Sequence, residues 1–187
     1  MRLCESHACM KRLSFIKQEG DYIEMNLIVA VDENWAIGRG GDLLAHMKED
    51  MKFFRNTTKG HVVLMGRKTL DSFPGGQPLK NRTNIVLTAN PEFEREGVTV
   101  VHSIEELLAE TKKYPAEELF VIGGGRIYEE LLPYCIKAYI THIHKAFDGA
   151  DTWFPNLSED SEWKQTEIGE SFAQDDFTYT FTTYERV

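Results

Sequence analysis

Cysteine is scarce in this chain: Cys4, Cys9 and Cys135 are the whole supply among 187 residues. An odd count without a secretory pattern argues against a disulfide framework and for the reducing cytosol, so a cytoplasmic protein is expected. None of the three joins the scattered histidines at a spacing that would hold a metal, and no metal is expected. Long apolar runs are also missing, which leaves nothing to cross a bilayer as a helix and no membrane partner to expect. Positive charge is in deficit, with 21 Lys and Arg against 30 Asp and Glu, a net charge of −9. That balance argues against a general nucleic-acid binder but leaves room for a local basic pocket holding a small anion. There is no internal repeat and no low-complexity tract. What remains is an ordinary globular composition, 42% hydrophobic and 27% charged, in a chain long enough for one domain with a real core.

Met1 to Glu24 does not look like the rest. It has no sustained period and no apolar signal core. The first clean strand, Asn26 to Val31, follows directly on Met25. Gln18-Glu19-Gly20 can be encoded by a purine-rich run of the ribosome-binding kind. Residues 1–24 are therefore expected to be an N-terminal extension, a disordered or translated leader, with the domain proper at 25–187. A tail that docks on a partner is the other reading.

The most informative stretch is Leu119 to Leu132, LFVIGGGRIYEELL. A short branched and aromatic run reads as a buried strand. Gly123, Gly124 and Gly125 make the turn. Ile127, Tyr128, Leu131 and Leu132 then fall at helical spacing until Pro133. Glycines bare the backbone, and a helix start offers free N–H groups, so a phosphate can lie there with Arg126 beside it. A plain tight turn explains the same residues, because the spacing is not G-x-G-x-x-G.

Other segments carry similar pairs of readings. Asp32 to Leu44, rich in glycine and turn formers, is expected to be a loop, either a lid over a site or ordinary surface. A helix is expected over about 48–57, with Met47, Asp50 and Phe54 on one face and Met51 at its border. Asp50 on that apolar side should be partly desolvated, with a raised pKa, and could bind an amidine-like edge or hold a proton; an acid favouring the helix dipole is the plainer account. His61 to Met65 reads as the second strand. It runs into Gly66-Arg67-Lys68-Thr69, a second helix start with two cations and a hydroxyl, either a phosphate site or solvated charge. Arg82 precedes the strand Thr83 to Thr88, and Val98 to Val101 is the next strand. Ser103 and Glu106 form a capping box for a further helix. Strands follow at Ala138 to His144, near Trp163 to Glu167, and at Phe177 to Tyr184. Alternating strands and helices give an α/β fold: a single domain with a mainly parallel twisted sheet, flanking helices and an antiparallel strand at its C-terminal edge. Ligands of such sheets lie beyond the strand carboxyl ends, where the glycine turn, Gly66 to Thr69, Thr88 and the loop after Val31 all fall.

Taken in order from Met25 to Val187, these pieces resemble dihydrofolate reductase. The likeness is carried by Ala36-Ile37-Gly38, Asp50 within Glu49 to Phe54, Met65 to Thr69, Leu79 with Arg82, Val121 to Tyr128, Ile140 to Ile143, and Asp151-Thr152 before Phe154-Pro155. The resemblance implies hydride transfer from NADPH to 7,8-dihydrofolate, giving 5,6,7,8-tetrahydrofolate for one-carbon metabolism, in a monomer that antifolate-type inhibitors also bind. It implies catalytic roles for Asp50, which holds the pterin 2-amino group and N3, and for Thr141, hydrogen-bonded to it. It places Ile28, Ala30, Met51, Phe54, Phe73, Leu79, Ile122 and Tyr128 around the substrate and pairs Arg82 with the glutamate tail. For the cofactor it implies Ala30, Ile122 and Tyr128 near the nicotinamide, Ile37 and Gly38 in the lid, and Gly123, Gly124, Gly125, Arg126 and Ile127 under the pyrophosphate. Gly66, Arg67, Lys68, Thr69, Leu87, Thr88 and Thr152 complete that site, with Arg67 on the 2′-phosphate.

Two positions depart from the family pattern. Ala45 stands where tryptophan is usual, and Lys48 where proline is common. Ala45 leaves open a volume that another side chain fills or water enters. Two alternatives follow: reduction of another heterocycle, as in the pyrimidinone reductases, or a non-catalytic NADPH- or folate-binding protein.

Overall fold

The structure is a computed structural model that describes residues 23–187. The expectations for the extension and for Cys4 and Cys9 lie outside the described residues. Eleven strands are described: β1 Met25–Val31, β2 Ala36–Arg39, β3 Asp42–Leu43, β4 Val62–Gly66, β5 Thr83–Leu87, β6 Val98–Val101, β7 Leu119–Gly123, β8 Cys135–Ile143, β9 Thr152–Trp153, β10 Trp163–Gln174 and β11 Phe177–Arg186. Four α-helices lie among them: α1 Lys48–Thr58, α2 Arg67–Ser72, α3 Ile104–Thr111 and α4 Gly125–Leu131.

Eight strands form one sheet in the order β10-β11-β8-β1-β7-β4-β5-β6. From β8 to β6 every pairing is parallel; β11 runs antiparallel to both β8 and β10. The C-terminal pair thus closes one side of the sheet, with β10 outermost. Parallel strands need both faces covered, and β4 and β7 read as unbroken apolar runs for that reason. Their burial follows: Leu64, Met65 and Val121 are fully enclosed. One core cluster gathers residues such as Leu27, Leu64, Val121, Leu131 and Ile140, and a second gathers Ile28, Val63, Met65, Phe120 and Ile122. The Ser103 hydroxyl caps α3 by accepting from the Glu106 N–H, while the Glu106 carboxylate accepts from His102 N–H.

The structure corrects three expectations. Asp32 to Leu44 is not all loop: β2 pairs with β3 and with the distant β9 in a small second sheet. Strand β10 runs on to Gln174, well past Glu167, although most of its residues face solvent. Strand β8 starts at Cys135, because its first residues pair with Met25 and Asn26. The Cys135 thiol is buried, which pushes its pKa up to about 12.

Asp32 ties the small sheet to the large one. Its carboxylate accepts from the N–H groups of Asn34 at 2.8 Å, Ala36 at 2.9 Å and Phe147 at 3.0 Å. It therefore joins the start of the β2 segment to the chain after β8. The bracing holds buried Trp35, at φ 60, against His142 and Phe154. Asp32→Ala would leave three donors without this acceptor, and a loss of about 2–4 kcal/mol is expected in urea unfolding. A loss below about 0.5 kcal/mol, the range of ordinary surface changes, would contradict the bracing role.

Candidate active site

Helix α1 lies between β3 and β4, and its third residue is Asp50. Thr141 lies on β8 opposite Ala30 of β1, near the carboxyl ends of both strands. Its hydroxyl donates to the Asp50 carboxylate at 2.6 Å. Burial raises the Asp50 pKa, and the Thr141 hydrogen bond works against that rise. Asp50 still keeps some exposure, as a group that meets a ligand must. Phe54, Phe73 and Leu79 pack partly exposed against Ile28 and Ile122, giving an apolar wall beside the acid. Met51, on the same helix, is 46% exposed at the border of that wall.

Beyond β7 the chain makes the glycine corner. Gly123 has φ 129, a backbone conformation that side chains disfavour. A Cβ on Gly125 would come within 2.7 Å of Thr152 Cγ2, so a side chain there would force the Thr152 side chain to shift. Thr69 Oγ1 lies 3.5 Å and 3.3 Å from the Cβ positions of Gly123 and Gly124, and Ile127 lies 3.0 Å from that of Gly66. One corner thus brings together the ends of β4 and β7, the starts of α2 and α4, and β9. Strand β2 reaches it too: Gly38 pairs with Thr152, and the Asp151 carboxylate accepts from Gly40 N–H at 2.7 Å.

Tyr128 bridges the acid and the corner. Its hydroxyl donates to the Ile28 carbonyl at 2.7 Å, and its ring lies 3.5 Å from the Gly123 Cβ position. Its pKa is raised by burial first, then by Cys135 and by the Asp50 charge. Tyr128 thus runs between the Ile28 carbonyl and the glycine turn, within the field of the Asp50 charge.

The cations are placed differently from one another. Arg67 pairs with Asp71, which also contacts Arg95 at 3.6 Å, and Lys68 is exposed. These lie beside Leu87, whose strand neighbour is Gly66, and near Thr88, whose carbonyl meets the His102 ring at 3.0 Å. Arg126 turns outward and pairs with Glu130 at 2.6 Å, so its charge does not aim into the glycine turn. Arg82 is half-buried, donating to Thr58 Oγ1 at 2.9 Å and to the Arg55 carbonyl at 3.3 Å at the end of α1. Its guanidinium also lies 5.8 Å from the Phe54 ring centre, and burial followed by the Arg55 charge lowers its pKa. Ala45 is half-buried against Met47, Ile143, Phe177 and Tyr179, so an aromatic cluster from the C-terminal hairpin neighbours that position.

A family model described as dihydrofolate reductase matches residues 24–186. The chain belongs to the dihydrofolate reductase family. It is 42% identical over 164 residues to the dihydrofolate reductase of Bacillus subtilis (strain 168), covering 87% of this chain and 94% of that one. The Staphylococcus haemolyticus enzyme is 38% identical over 170 residues, covering 89% and 98%. Among solved structures, dihydrofolate reductase from Enterococcus faecalis complexed with NADP(H) and RAB-propyl superposes with a TM-score of 0.77 at 38% identity, covering 89% of this chain and 97% of that one. The mixed sheet is thus the dihydrofolate reductase fold, and the antiparallel C-terminal pair belongs to it.

Sequence reasoning missed Asp32 as a brace and Tyr179 and Gln174 as neighbours of α1. An acid directly after a strand and before Asn34 was a turn signal for the first. The other two are contacts across more than a hundred residues, for which no local signal exists.

The raised Asp50 pKa has a consequence for stability. The folded protein binds that proton more tightly than the unfolded chain does. Stability from this group is therefore present in acid and lost as pH rises from the ordinary aspartate value through the folded-state value. Asp50→Asn cannot ionise, so it should unfold at higher urea than wild type at neutral pH, with the gap closing in acid. A wild type more stable than Asp50→Asn at neutral pH would contradict the desolvation.

Proposed function

We propose that this reductase passes hydride from NADPH to 7,8-dihydrofolate, giving 5,6,7,8-tetrahydrofolate, and does so as a cytoplasmic monomer with no nucleic-acid partner. The observation that carries the reading is the 2.6 Å hydrogen bond from Thr141 to Asp50 near the carboxyl end of β8, with the glycine corner at the carboxyl end of β7 in the same sheet. NADPH, when bound, supplies the hydride; the chain supplies orientation, exclusion of water and control of one proton.

Asp50 accepts from the pterin 2-amino group and N3 and favours protonation at N5. Thr141 holds the Asp50 carboxylate toward that edge. Phe54, Phe73, Leu79, Met51 and Ile28 wall the flat rings and keep water from them. Arg82 takes the α-carboxylate of the glutamate tail in a charge-assisted contact. Ala30, Ile122 and Tyr128 line the meeting point of the two rings. The residues fit the cofactor because Gly123 and Gly124 leave the turn without side chains, a bare backbone that a pyrophosphate can approach, with the Thr69 hydroxyl beside it. Gly66 and the backbone of Gly123 to Ile127 would hold the pyrophosphate, Leu87, Thr88 and Lys68 would flank the adenosine, and Ile37, Gly38 and Thr152 would form the closing wall. Arg67 takes the 2′-phosphate; its exposed pairing with Asp71 is the weak kind that a phosphate can replace.

The test is oxidation of NADPH with dihydrofolate, followed by absorbance. Asp50→Asn should lower turnover about a hundredfold or more at neutral pH, with partial recovery in acid as the substrate protonates itself. Unchanged neutral turnover would refute the role of Asp50. Arg67→Ala should weaken NADPH about tenfold or more while leaving NADH nearly untouched. Equal losses on both cofactors would place the 2′-phosphate elsewhere.

A further inference from the structure

Helix α1 carries the acid but starts without a cap of its own. Met47 stands at the cap position in extended conformation and has no oxygen to offer the first-turn N–H groups. The first helical residue is Lys48 where the family commonly has proline, which adds an N–H that proline lacks. That N–H finds its partner on the far side of the chain. Gln174, the last residue of β10, accepts from Lys48 N–H through Oε1 at 3.3 Å and donates through Nε2 to the His46 carbonyl at 2.8 Å. One side-chain amide thus grips the backbone on both sides of Met47. Below the grip, Met47 is 1% exposed and packs with Ile143, Phe177 and Tyr179. The first bond of the helix, from Met51 N–H to the Met47 carbonyl at 2.9 Å, closes directly over this anchored residue, with Asp50 inside that turn.

We propose that Gln174 is a positioning residue for the reaction: it fixes the first turn of α1 from the C-terminal hairpin, and through that turn sets the direction in which Asp50 meets the heterocycle. The proposal rests on the role given to Asp50 above. It explains how a helix that departs from the family at Lys48 keeps its acid in place. The device acts on the substrate side, since the Gln174 amide bonds to Lys48 N–H and to the His46 carbonyl, both at the start of the helix that carries Asp50.

The experiment compares Gln174→Ala, Lys48→Pro and the double variant with wild type. Gln174→Ala should raise the KM for dihydrofolate roughly threefold to tenfold and leave the KM for NADPH within about twofold. Lys48→Pro removes the N–H that needs an acceptor, and the extended Met47, φ −98 and ψ 122, suits the residue before a proline. It should behave like wild type alone and restore most of the dihydrofolate KM in the double variant. Hydrogen exchange gives a readout without turnover: the Lys48 amide should exchange about tenfold faster in Gln174→Ala. An unaltered dihydrofolate KM, a loss shared equally by both substrates, or a loss that Lys48→Pro leaves in place would overturn the proposal. A wild type that fails to turn over dihydrofolate would instead overturn the reading of Asp50, and is seen before any variant is compared.

Discussion

A carboxylate drawn out of water must find donors or give up its charge, and Asp50 does part of each. The Thr141 hydroxyl donates to it at 2.6 Å, while burial raises its pKa. In the role proposed above, the group would meet a flat, amidine-like edge that can satisfy its remaining oxygen lone pairs. Much of the fold serves this meeting. Strand β8 brings Thr141 beside Ala30, α1 brings Asp50 over it, and Tyr128 spans from the acid's field to the Gly123 turn.

The cofactor side solves a different problem. The chain has a net charge of −9, yet it must hold a ligand with several phosphate charges. On the site proposed above it would do so locally, with bare backbone at the glycine corner and cations at the start of α2. Backbone N–H groups and helix starts bring positive potential without any change in overall charge. Arg67 and Arg95 share Asp71 in partly exposed pairings of the weak kind that a phosphate can replace.

The features that depend on local pattern were legible in the sequence. The apolar face of α1 with Asp50 on it, the strand–glycine–helix unit and the Gly66 to Thr69 helix start each need only a dozen neighbouring residues to be read. Features that depend on distant partners were not. Strand β2 exists because Thr152 and Trp153 arrive beside it, and no local periodicity announces that. Strand β10 is long because β11 pairs along it, while its mostly exposed residues show none of the alternation expected of a half-buried strand. Arg126 lay within reach of reasoning: Glu130 follows four residues on, the spacing at which helix charges pair, and the guanidinium turns that way. The neighbours of Ala45 are a cluster from the C-terminal hairpin, again a tertiary fact.

The measurement closest to the centre of this account is the titration of the Asp50 carboxyl itself, followed by its carbon-13 resonance in the ligand-free protein. The account predicts a midpoint above that of an ordinary aspartate, moving higher still in Thr141→Val, where the opposing hydrogen bond is gone. A midpoint at or below the ordinary aspartate value in wild type would contradict it.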